Sequence, residues 1–480
     1  MFERLKARWG QYSQACQSSI KRFALNPDVY LVRGARRGAI YDLITGRIYP
    51  VSDVATQVLD LAVHQGMTPL KIARQVSIGI VEQVTFLDSL SELRLGYWYE
   101  GEARPRSDSP DLNSLTPGVH ALSVELTLQC NLQCVHCYAE SGPKKSSEEL
   151  LAREWRQLID DAAALGCHLI TFSGGEPLLA KELLLELIAH AREKELDTRV
   201  FTNATLFGAD ALDSLARFDV GVDISIYGPN EDVHDRVTRT PGSFKAMTKN
   251  VMSLKSRGIP VRMDMPVMME NQDYVEETEE FVRDRFNAEF RASVILPVGR
   301  GRLNALVSCT DAFLRNVSTK LLQARTKGKV TGAPFQNEPN FPPVHRNDFA
   351  RQLHKTCWSN ALHITPNGDV IPCAAARQLL LGNVRQSKLE AIVTSDAVQR
   401  LWRLTSKDRV HVCQNCEYRY ACSDCWVRVL AEVGSLYEKP PWCAYDPQAG
   451  HWSSENVSML SSFPRSTMFT CPSRGSKGQL

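Results

Sequence analysis

Three cysteines lie close together in the segment LTLQCNLQCVHCY, namely Cys130, Cys134 and Cys137. The apolar pattern before them predicts a strand at 121–127, so the cysteines occupy the loop after its carboxyl end, where barrel enzymes keep their reactive groups. Three thiolates can hold three irons of a [4Fe–4S] cluster and leave the fourth iron open to a small molecule. A structural zinc is the alternative, but it requires a fourth ligand, and His136 is poorly placed to supply one.

A glycine pair follows the next predicted strand, at 168–172, in the segment TFSGGEP. Gly174 and Gly175 allow the backbone to approach a ligand closely. Their N–H and C=O groups can hold an amino group, with Glu176 supplying charge. Alone, the segment is equally consistent with an ordinary turn between a strand and a helix. Its position beside a cysteine-bearing strand favours ligand binding.

A second group of seven cysteines lies nearer the carboxyl terminus. Its members are Cys357, Cys373, Cys413, Cys416, Cys422, Cys425 and Cys443. Residues 1–20 lack the apolar run of a signal peptide, so we expect a cytoplasmic chain whose thiols are not paired as disulfides. Iron–sulfur clusters and two zinc sites are both consistent with these thiolates.

Composition excludes several classes of partner. The 480 residues include 56 basic and 54 acidic side chains, for a net charge of +2. That balance does not favour non-specific binding to nucleic acid or to a membrane surface. No apolar run reaches the ~20 residues of a membrane-spanning helix. We therefore expect neither a nucleic-acid nor a membrane partner.

Strand and helix patterns alternate through the middle of the chain and predict an α/β fold. The predicted strands are 121–127, 168–172, 198–202, 220–226, 259–268 and 290–298. Helices separate them, including one at 149–165 that ends at Gly166 and one at 244–257 that ends at Gly258. Six such units imply parallel strands, and a partial barrel closes them most economically.

Side-chain alternation along these strands predicts which polar residues face the barrel interior. The inward set includes Glu125, Asp223, Ser225, Tyr227, Arg262 and Asp264. Inward charges are costly unless they serve a ligand or each other. Asp264, Glu125 and Tyr227 are accordingly the predicted catalytic residues. The alternative is an internal ion-pair network of Arg262, Asp264 and Glu125.

The region before the barrel has the pattern of a winged helix. A hairpin is predicted at 28–51 with its turn at Thr45–Gly46, followed by helices at Val54–Val63, after Thr68 and at Ile80–Leu93, and by a strand at Tyr97–Tyr99. Between Asp28 and Arg104, eight basic and nine acidic residues leave no basic surface for DNA phosphates.

The cysteine motif and the glycine motif together resemble the radical S-adenosylmethionine (SAM) superfamily, over about 120–300. The second cysteine group is similar to the SPASM domain of such enzymes, although its last spacing is two residues instead of three. The resemblance implies a partial (β/α)6 barrel and a cysteine-rich iron–sulfur domain. It also implies that SAM chelates the open iron, and that reductive cleavage gives a 5′-deoxyadenosyl radical that abstracts a substrate hydrogen.

The same resemblance implies roles for individual residues. Tyr138 would lie near the adenine, and Asn203 and Ser225 would line the ribose and methionine pocket. The cysteines at 130, 134 and 137 would hold the SAM-binding cluster. The first auxiliary [4Fe–4S] cluster would use Cys357, Cys373 and Cys425, and the second would use Cys413, Cys416, Cys422 and Cys443.

A winged helix in front of such an enzyme looks like a recognition element for a precursor peptide. The leader of that peptide would add as a strand to the hairpin edge, with Arg33, Arg36 and Arg37 available to acidic leader residues. The alternative is a domain that only packs on the barrel. Because no predicted ligand lies within residues 1–105, we expect a chain that lacks them to keep its clusters.

The sequence therefore predicts a radical SAM/SPASM maturase that oxidatively modifies, by cross-linking, a ribosomally synthesised precursor peptide. A flavodoxin- or ferredoxin-type protein would donate the electron. An anaerobic sulfatase-maturating enzyme is one alternative, but it leaves the first hundred residues unexplained. A non-enzymatic iron–sulfur redox sensor with a winged helix is another, but it leaves the glycine motif and the barrel unexplained.

These interpretations divide the chain into seven parts. They are an N-terminal helix (1–24), the winged-helix-like peptide recognition domain (25–102), a linker (103–118), the radical SAM barrel (119–305), a connector (306–350), the SPASM domain (351–447) and a disordered tail (448–480).

Overall fold

The computed structural model describes residues 20–103, 118–144, 148–296, 298–303, 344, 358, 360–404, 406–422, 425–440, 443 and 445–452. Cys357 and most of the predicted N-terminal helix, linker, connector and tail lie outside the described residues. The chain divides into two compact units. One comprises 116–313 and 357–403, and the other comprises 1–115, 314–356 and 404–480. The boundaries of the seven predicted parts stay predictions.

The second of these units begins with two small antiparallel sheets. Strand β1 (Arg22–Leu25) pairs with β5 (Gly96–Tyr99), and β2 (Val29–Arg33), β3 (Gly38–Asp42) and β4 (Arg47–Val51) form a sheet in the order β2-β3-β4. The turn between β3 and β4 is closed by the Asp42 carboxylate, which accepts hydrogen bonds from the Ile44 N–H and the Thr45 hydroxyl. The predicted hairpin with its turn at Thr45–Gly46 is confirmed.

Three helices lie between β4 and β5. They are α1 (Asp53–Leu59, continued by a π-helical turn over Asp60–His64), α2 (Pro69–Ile72) and α3 (Ile80–Glu92). The Ser52 hydroxyl caps α1 by accepting a hydrogen bond from the Ala55 N–H, as its residue type favours. The helices and both sheets share one apolar core, whose fully buried members include Ile40, Val58, Leu59, Ile72, Leu87 and Leu90. From the hairpin to β5 the elements follow the predicted order, but β1 was not predicted and occupies the end of the predicted N-terminal helix. The winged-helix class stays a prediction.

The same unit contains the last cysteine-rich segment. Its regular elements are short: helix α13 (Trp426–Val433) and the antiparallel pair β15 (Tyr445–Asp446) and β16 (His451–Trp452). Tyr418, Tyr420 and Tyr445 supply much of its buried apolar surface.

The other unit is built on a nine-stranded sheet. Six parallel strands follow one another in sequence order: β6 (Ala121–Glu125), β7 (Leu169–Ser173), β8 (Asp197–Thr202), β9 (Gly221–Ser225), β10 (Val261–Val267) and β11 (Glu289–Val294). These are the six predicted strands, within a few residues at each end. The α/β fold with a partial parallel sheet is therefore confirmed.

Helices connect these strands and cover the sheet. They are α4 (Ala152–Ala164), α5 (Lys181–Glu193), α6 (Ala209–Arg217), α7 (Glu231–Thr238), α8 (Ser243–Ser256), α9 (Val275–Phe286) and the short α10 (Arg300–Leu303). Gly166 and Gly258 follow α4 and α8 with φ of 86° and 72°, a backbone region that favours glycine. Apolar residues on the helix-facing side, such as Met263 and Met265, are fully buried.

Three further strands extend the sheet beyond β6 and were not predicted. Strand β12 (Ala361–Ile364) pairs parallel with β6, and β13 (Asp369–Ile371) and β14 (Gly382–Asn383) follow antiparallel. Helices α11 (Leu389–Val393) and α12 (Asp396–Leu404) come next in the chain. The amino-terminal part of the second cysteine group thus continues the barrel sheet. Within the described part of the chain, no helix is long and apolar enough to cross a membrane.

Candidate functional site

A cavity of about 450 Å³ lies at the carboxyl ends of the parallel strands. It is lined by residues from the loops after β6, β7, β8, β9 and β11 and from the segment after β12. Most of the predicted site residues in this unit line it: Cys130, Cys134, Cys137, Tyr138, Gly174, Gly175, Asn203, Ser225 and Tyr227. The cavity is therefore bordered by residues that are far apart in the sequence and that were predicted by different arguments.

The loop that carries the first three cysteines is fixed by backbone hydrogen bonds. The Cys130 N–H donates to the Gly142 carbonyl at 2.7 Å, and the Val135 N–H donates to the Val237 carbonyl at the end of α7. Arg300, a residue of α10 that the sequence analysis did not identify, also holds this loop in place. Its guanidinium donates to the Cys134 carbonyl at 3.0 Å and to the Ser141 carbonyl at 2.7 Å.

Burial is the largest cause of the raised pKa values of Cys130, about 11, and of Cys134, about 12, and the neighbouring cysteines act in the same direction. Arg300 acts to lower the pKa of Cys130 and of Cys134, but burial outweighs it. Bound iron is the cation that would hold such groups as thiolates. Across the residues that the structure describes, no three cysteine, histidine or carboxylate groups converge closely enough for a single metal ion. Three thiols that border one cavity can each bind one iron of a [4Fe–4S] cluster, whereas a structural zinc requires a fourth ligand.

Both positions of the glycine pair require a residue without a side chain, because the pair lies against the backbone of the loop after β6. A Cβ on Gly174 would lie 2.5 Å from the Thr127 carbonyl oxygen, and one on Gly175 would lie 2.3 Å from the Gln129 carbonyl oxygen. The Gly175 N–H already donates to the Thr127 carbonyl at 2.7 Å. The expectation that this N–H is available to a ligand is therefore wrong. The pair holds the two loops together at the cavity wall.

Glu176 supports the same wall from behind. Its carboxylate is fully buried and accepts hydrogen bonds from the Leu178 N–H, the Thr202 hydroxyl at 2.7 Å and the Asn203 N–H at 2.8 Å. Burial raises the pKa of Glu176 to about 7. The residue does not line the cavity, so the structure gives it a bracing position instead of the direct ligand contact that we expected.

Asn203 and Tyr227 connect the cavity wall to the cysteine loop. The Asn203 amide donates to the Asn131 side chain at 2.9 Å and lies 3.9 Å from the Cys130 Sγ. The Tyr227 hydroxyl lies within hydrogen-bonding reach of Ser225 and Cys134, and burial raises the pKa of this tyrosine. Both side chains are placed to order a group bound beside the cysteines.

The inward charges form two networks instead of the single one considered above. Asp223 pairs with Arg199 and with Arg262, each at 2.7 Å, and Arg262 also lies 3.2 Å from Asp264. Neither Asp264 nor Glu125 lines the cavity. Of the three residues predicted as catalytic, only Tyr227 borders it.

Glu125 belongs to the second network, whose other members sequence reasoning missed. One guanidinium nitrogen of Arg377 lies 2.5 Å from both of its carboxylate oxygens, and the His363 Nε2 lies 3.3 Å away. His363 itself lines the cavity. Both partners come from the segment around β12, and they reach Glu125 only because β12 pairs with β6. The local sequence around His363 and Arg377 therefore does not identify them as partners of Glu125.

Cys373 lies near the cavity as well, because its neighbours Ala374 and Ala375 line it. Cys373 acts electrostatically on Tyr138, and the Arg377 guanidinium lies 5.9 Å from the centre of the Tyr138 ring. A predicted auxiliary-cluster ligand and a predicted adenine neighbour are therefore close to each other. The expected partner ligand Cys357 lies outside the described residues.

The remaining cysteines belong to the other unit. Cys416 and Cys443 pack against the same apolar cluster, and both Cys443 and Cys413 act electrostatically on Cys416, whose pKa is raised first of all by burial. These three of the four ligands predicted for the second auxiliary cluster are thus brought together. Cys425 precedes α13 as its N-cap residue, and Cys422 is half-buried.

Comparison with known proteins gives two matches to characterised families. Residues 124–283 match the radical SAM superfamily, and residues 357–417 match the SPASM family, described as an iron–sulfur cluster-binding domain. The AdoMet-dependent heme synthase of Methanosarcina barkeri is 26% identical over 347 residues, which are 70% of this chain and 99% of that protein. The antilisterial bacteriocin subtilosin biosynthesis protein AlbA of Bacillus subtilis is 27% identical over 327 residues, 66% of this chain and 69% of that protein.

Solved structures show the same fold. Streptococcus suis SuiB bound to S-adenosylmethionine superimposes with a TM-score of 0.51 at 15% identity, covering 88% of this chain and 100% of SuiB. SuiB has also been solved bound to its precursor peptide SuiA, with a TM-score of 0.50 at 14% identity, covering 87% and 98%. Together with the cysteine-lined cavity, these matches lead to one conclusion. The chain contains a radical SAM domain and a SPASM iron–sulfur domain, and its cofactors are SAM and [4Fe–4S] clusters.

Proposed function

We propose that this protein is a maturase that oxidatively cross-links a ribosomally synthesised precursor peptide. The observation that carries the proposal is the separately cored module of residues 22–99, in which a three-stranded antiparallel sheet and three helices precede the radical SAM domain. In its sheet order, β2 and β4 are the outer strands. Main-chain groups on an outer strand are those to which an extended peptide adds. The SuiB complex with a precursor peptide and the subtilosin relative support the same substrate class.

Leader recognition rests more on the sheet than on the three arginines. Arg37 is held inside its own unit by Glu417 at 2.6 Å, so the expectation that it is available to a peptide is wrong. Arg36 donates to the Ala449 carbonyl, and Arg33 pairs with Asp60 at 2.8 Å while remaining half-exposed. Arg33 and Arg36, which are both exposed, are therefore better placed than Arg37 to meet an acidic leader residue.

The residues that line the cavity have distinct roles in the proposed reaction. The thiols of Cys130, Cys134 and Cys137 would hold the catalytic cluster, which together with SAM would supply hydrogen-abstracting radical chemistry. Gly174 and Gly175 keep the loop walls close enough to shape the cofactor pocket. Tyr227 closes the side next to Cys134 and excludes water there. His363 lines the cavity beside Glu125. The auxiliary clusters, held by the second cysteine group, would supply a place for the surplus electron.

A tetrapyrrole substrate is the second candidate function. The M. barkeri heme synthase aligns over 99% of its length, so the barrel and the cysteine-rich region alone do not separate the two. The module of residues 22–99 favours the peptide substrate, because a tetrapyrrole needs no sheet that binds a leader peptide. A sulfatase maturase likewise has no leader peptide for that sheet to bind.

The experiment is anaerobic co-expression of the full chain with short open reading frames from its genomic neighbourhood, followed by tandem mass spectrometry. The proposal predicts a peptide that loses two hydrogens, about 2 Da, for each new bond. A parallel incubation with iron-coproporphyrin tests the other substrate. Conversion of the porphyrin, with every peptide unmodified, would overturn the proposal.

A further inference from the structure

The loop between β2 and β3 lies directly on the segment that carries Cys413 and Cys416, within one compact unit. The Ala35 N–H donates to the Asn415 carbonyl at 2.7 Å. In the other direction, the Arg419 guanidinium donates to the Arg33 carbonyl at 2.7 Å and to the Cys416 carbonyl at 3.0 Å. Main-chain groups of the N-terminal sheet and of the cysteine loop are therefore joined without any intervening element.

A buried ion pair reinforces this junction. Glu417 follows Cys416 in the chain and is fully buried. The Arg37 Nε donates to its Oε1 at 2.6 Å, and the Tyr445 hydroxyl donates to the same oxygen. The Tyr41 hydroxyl, from β3, donates to the Glu417 carbonyl at 2.9 Å. A buried carboxylate that loses its cation is strongly destabilised, so the position of Glu417 depends on Arg37.

Apolar packing joins the same two segments. One cluster of buried side chains combines residues of the N-terminal sheet with residues of the cysteine-rich segment, and Cys416 and Cys443 pack against it. Its members are Val32, Ala39, Tyr41, Leu43, Ile48, Val344, Tyr418, Tyr420 and Tyr445. Two cysteines of the second auxiliary set are thus backed by side chains from the first fifty residues.

Gly34 shows how closely the two segments fit. A Cβ at this position would lie 2.7 Å from the Glu417 Oε2, 2.8 Å from the Arg37 carbonyl oxygen and 3.0 Å from the Glu417 backbone nitrogen. Even a methyl group would therefore have to move the β2–β3 loop and Glu417, the residue next to Cys416, apart. This observation is independent of the charges of Arg37 and Glu417.

We infer that the N-terminal sheet is a structural part of the second auxiliary cluster site, and that Arg37 is the residue that positions the Cys413–Cys416 loop, through Glu417. The inference rests on the proposed assignment of Cys413, Cys416 and Cys443 to that cluster. It reverses the sequence-based expectation about truncation. A chain that lacks residues 1–105 loses this cluster, because the deletion removes the counterion of Glu417 and half of the apolar cluster behind the thiols.

The test replaces Arg37 by Met in the full chain, which keeps much of the side-chain length and removes the charge. After anaerobic reconstitution, the wild type carries about twelve irons in three clusters. The R37M variant should carry about eight and lose the electron paramagnetic resonance signal of one reduced auxiliary cluster, while still forming 5′-deoxyadenosine. Arg47→Met is the control, because Arg47 is exposed on β4 of the same sheet; it should keep about twelve irons.

Two further variants keep the inference testable if R37M does not fold. Gly34→Ala adds only a methyl group and should cause the same loss of about four irons. The double variant R37M/E417Q removes both charges and should recover iron relative to R37M. Full iron content and an unchanged auxiliary signal in G34A or in R37M would overturn the inference. None of these measurements uses a peptide, so they stand whether or not the maturase proposal is correct.

Discussion

One guanidinium nitrogen of Arg377 lies 2.5 Å from both carboxylate oxygens of Glu125, although 252 positions separate the two residues in the chain. Glu125 ends strand β6, and Arg377 follows Cys373 by four residues. The pair therefore ties the strand that leads into the first cysteine loop to the segment that carries a predicted auxiliary ligand. Burial acts to raise the pKa of Glu125, but the neighbouring His363 and Arg377 outweigh it, and the pKa is lowered.

Replacing Glu125 by Gln should destabilise this unit by about 3 kcal/mol, because it removes one partner of a buried ion pair and leaves the other uncompensated. Asp213→Asn breaks the exposed pair with Arg257 and is the matched control, with an expected cost below about 1 kcal/mol. Denaturant unfolding of the anaerobic proteins measures both. Equal stability of the two variants would mean that Glu125 contributes no more than a surface charge.

Replacing Gly175 by Ala should weaken SAM binding at least tenfold, about 1.4 kcal/mol. The added methyl group meets the Gln129 carbonyl and pushes the two cavity loops apart. Gly142→Ala is the control, because a Cβ there meets nothing within 4 Å. Anaerobic calorimetry gives the affinities. If both variants bind SAM as the wild type does, the glycine pair has no part in shaping the pocket.

Removing Cys413 or Cys443 should separate SAM cleavage from peptide modification. Either alanine variant leaves the second auxiliary cluster incompletely held, while the cavity with the first three cysteines lies in the other unit. We expect 5′-deoxyadenosine formation to persist and modified peptide to fall at least tenfold. Cys167→Ala, at a buried cysteine outside both groups, should change neither. Parallel loss of both activities would indicate a folding role only.

Acid should destabilise the barrel through His234. This imidazole is fully buried, its Nδ1 accepts a hydrogen bond from the Tyr227 N–H, and burial lowers its pKa from 6.5 to about 4. The unfolded chain therefore binds the proton more readily than the folded one. The corresponding stability is present above pH 6.5 and is lost as the pH falls towards 4, by about 2 kcal/mol between pH 7 and pH 5.

The His234→Phe variant tests this pH dependence, because it keeps an aromatic ring between Tyr227 and Phe244 without a titrating group. Its free energy of unfolding should fall less than that of the wild type between pH 7 and pH 5. The quantity compared is the slope of the unfolding free energy against pH, so an overall change in stability caused by the new ring does not affect the result. Identical slopes would show that His234 is protonated equally in the folded and unfolded chains.

Local sequence patterns predicted much of the fold and of the cavity. The alternation of strands and helices predicted the six parallel strands. Of the nine predicted residues that line the cavity, the cysteine and glycine motifs supplied five, side-chain alternation supplied Tyr227, and the family resemblance implied Tyr138, Asn203 and Ser225. The missed features depend on pairings between distant segments. Strand β12 brings His363 and Arg377 to Glu125, and the β2–β3 loop brings Arg37 to Glu417. Neither contact can be predicted from the periodicity or the residue spacing of the sequence. Glu176 was identified from its motif, but its inward-turned contacts become visible only in three dimensions.

The most direct test of the central claim counts two products in one anaerobic incubation of the full chain with reductant, SAM and the co-expressed precursor peptide. The account predicts one 5′-deoxyadenosine for each peptide that has lost two hydrogens, and neither product from a variant in which Cys130, Cys134 and Cys137 are alanine. That variant should also carry about four fewer irons. Cleavage of SAM by the triple variant, or 5′-deoxyadenosine from the wild type with no change in any peptide, would contradict the account.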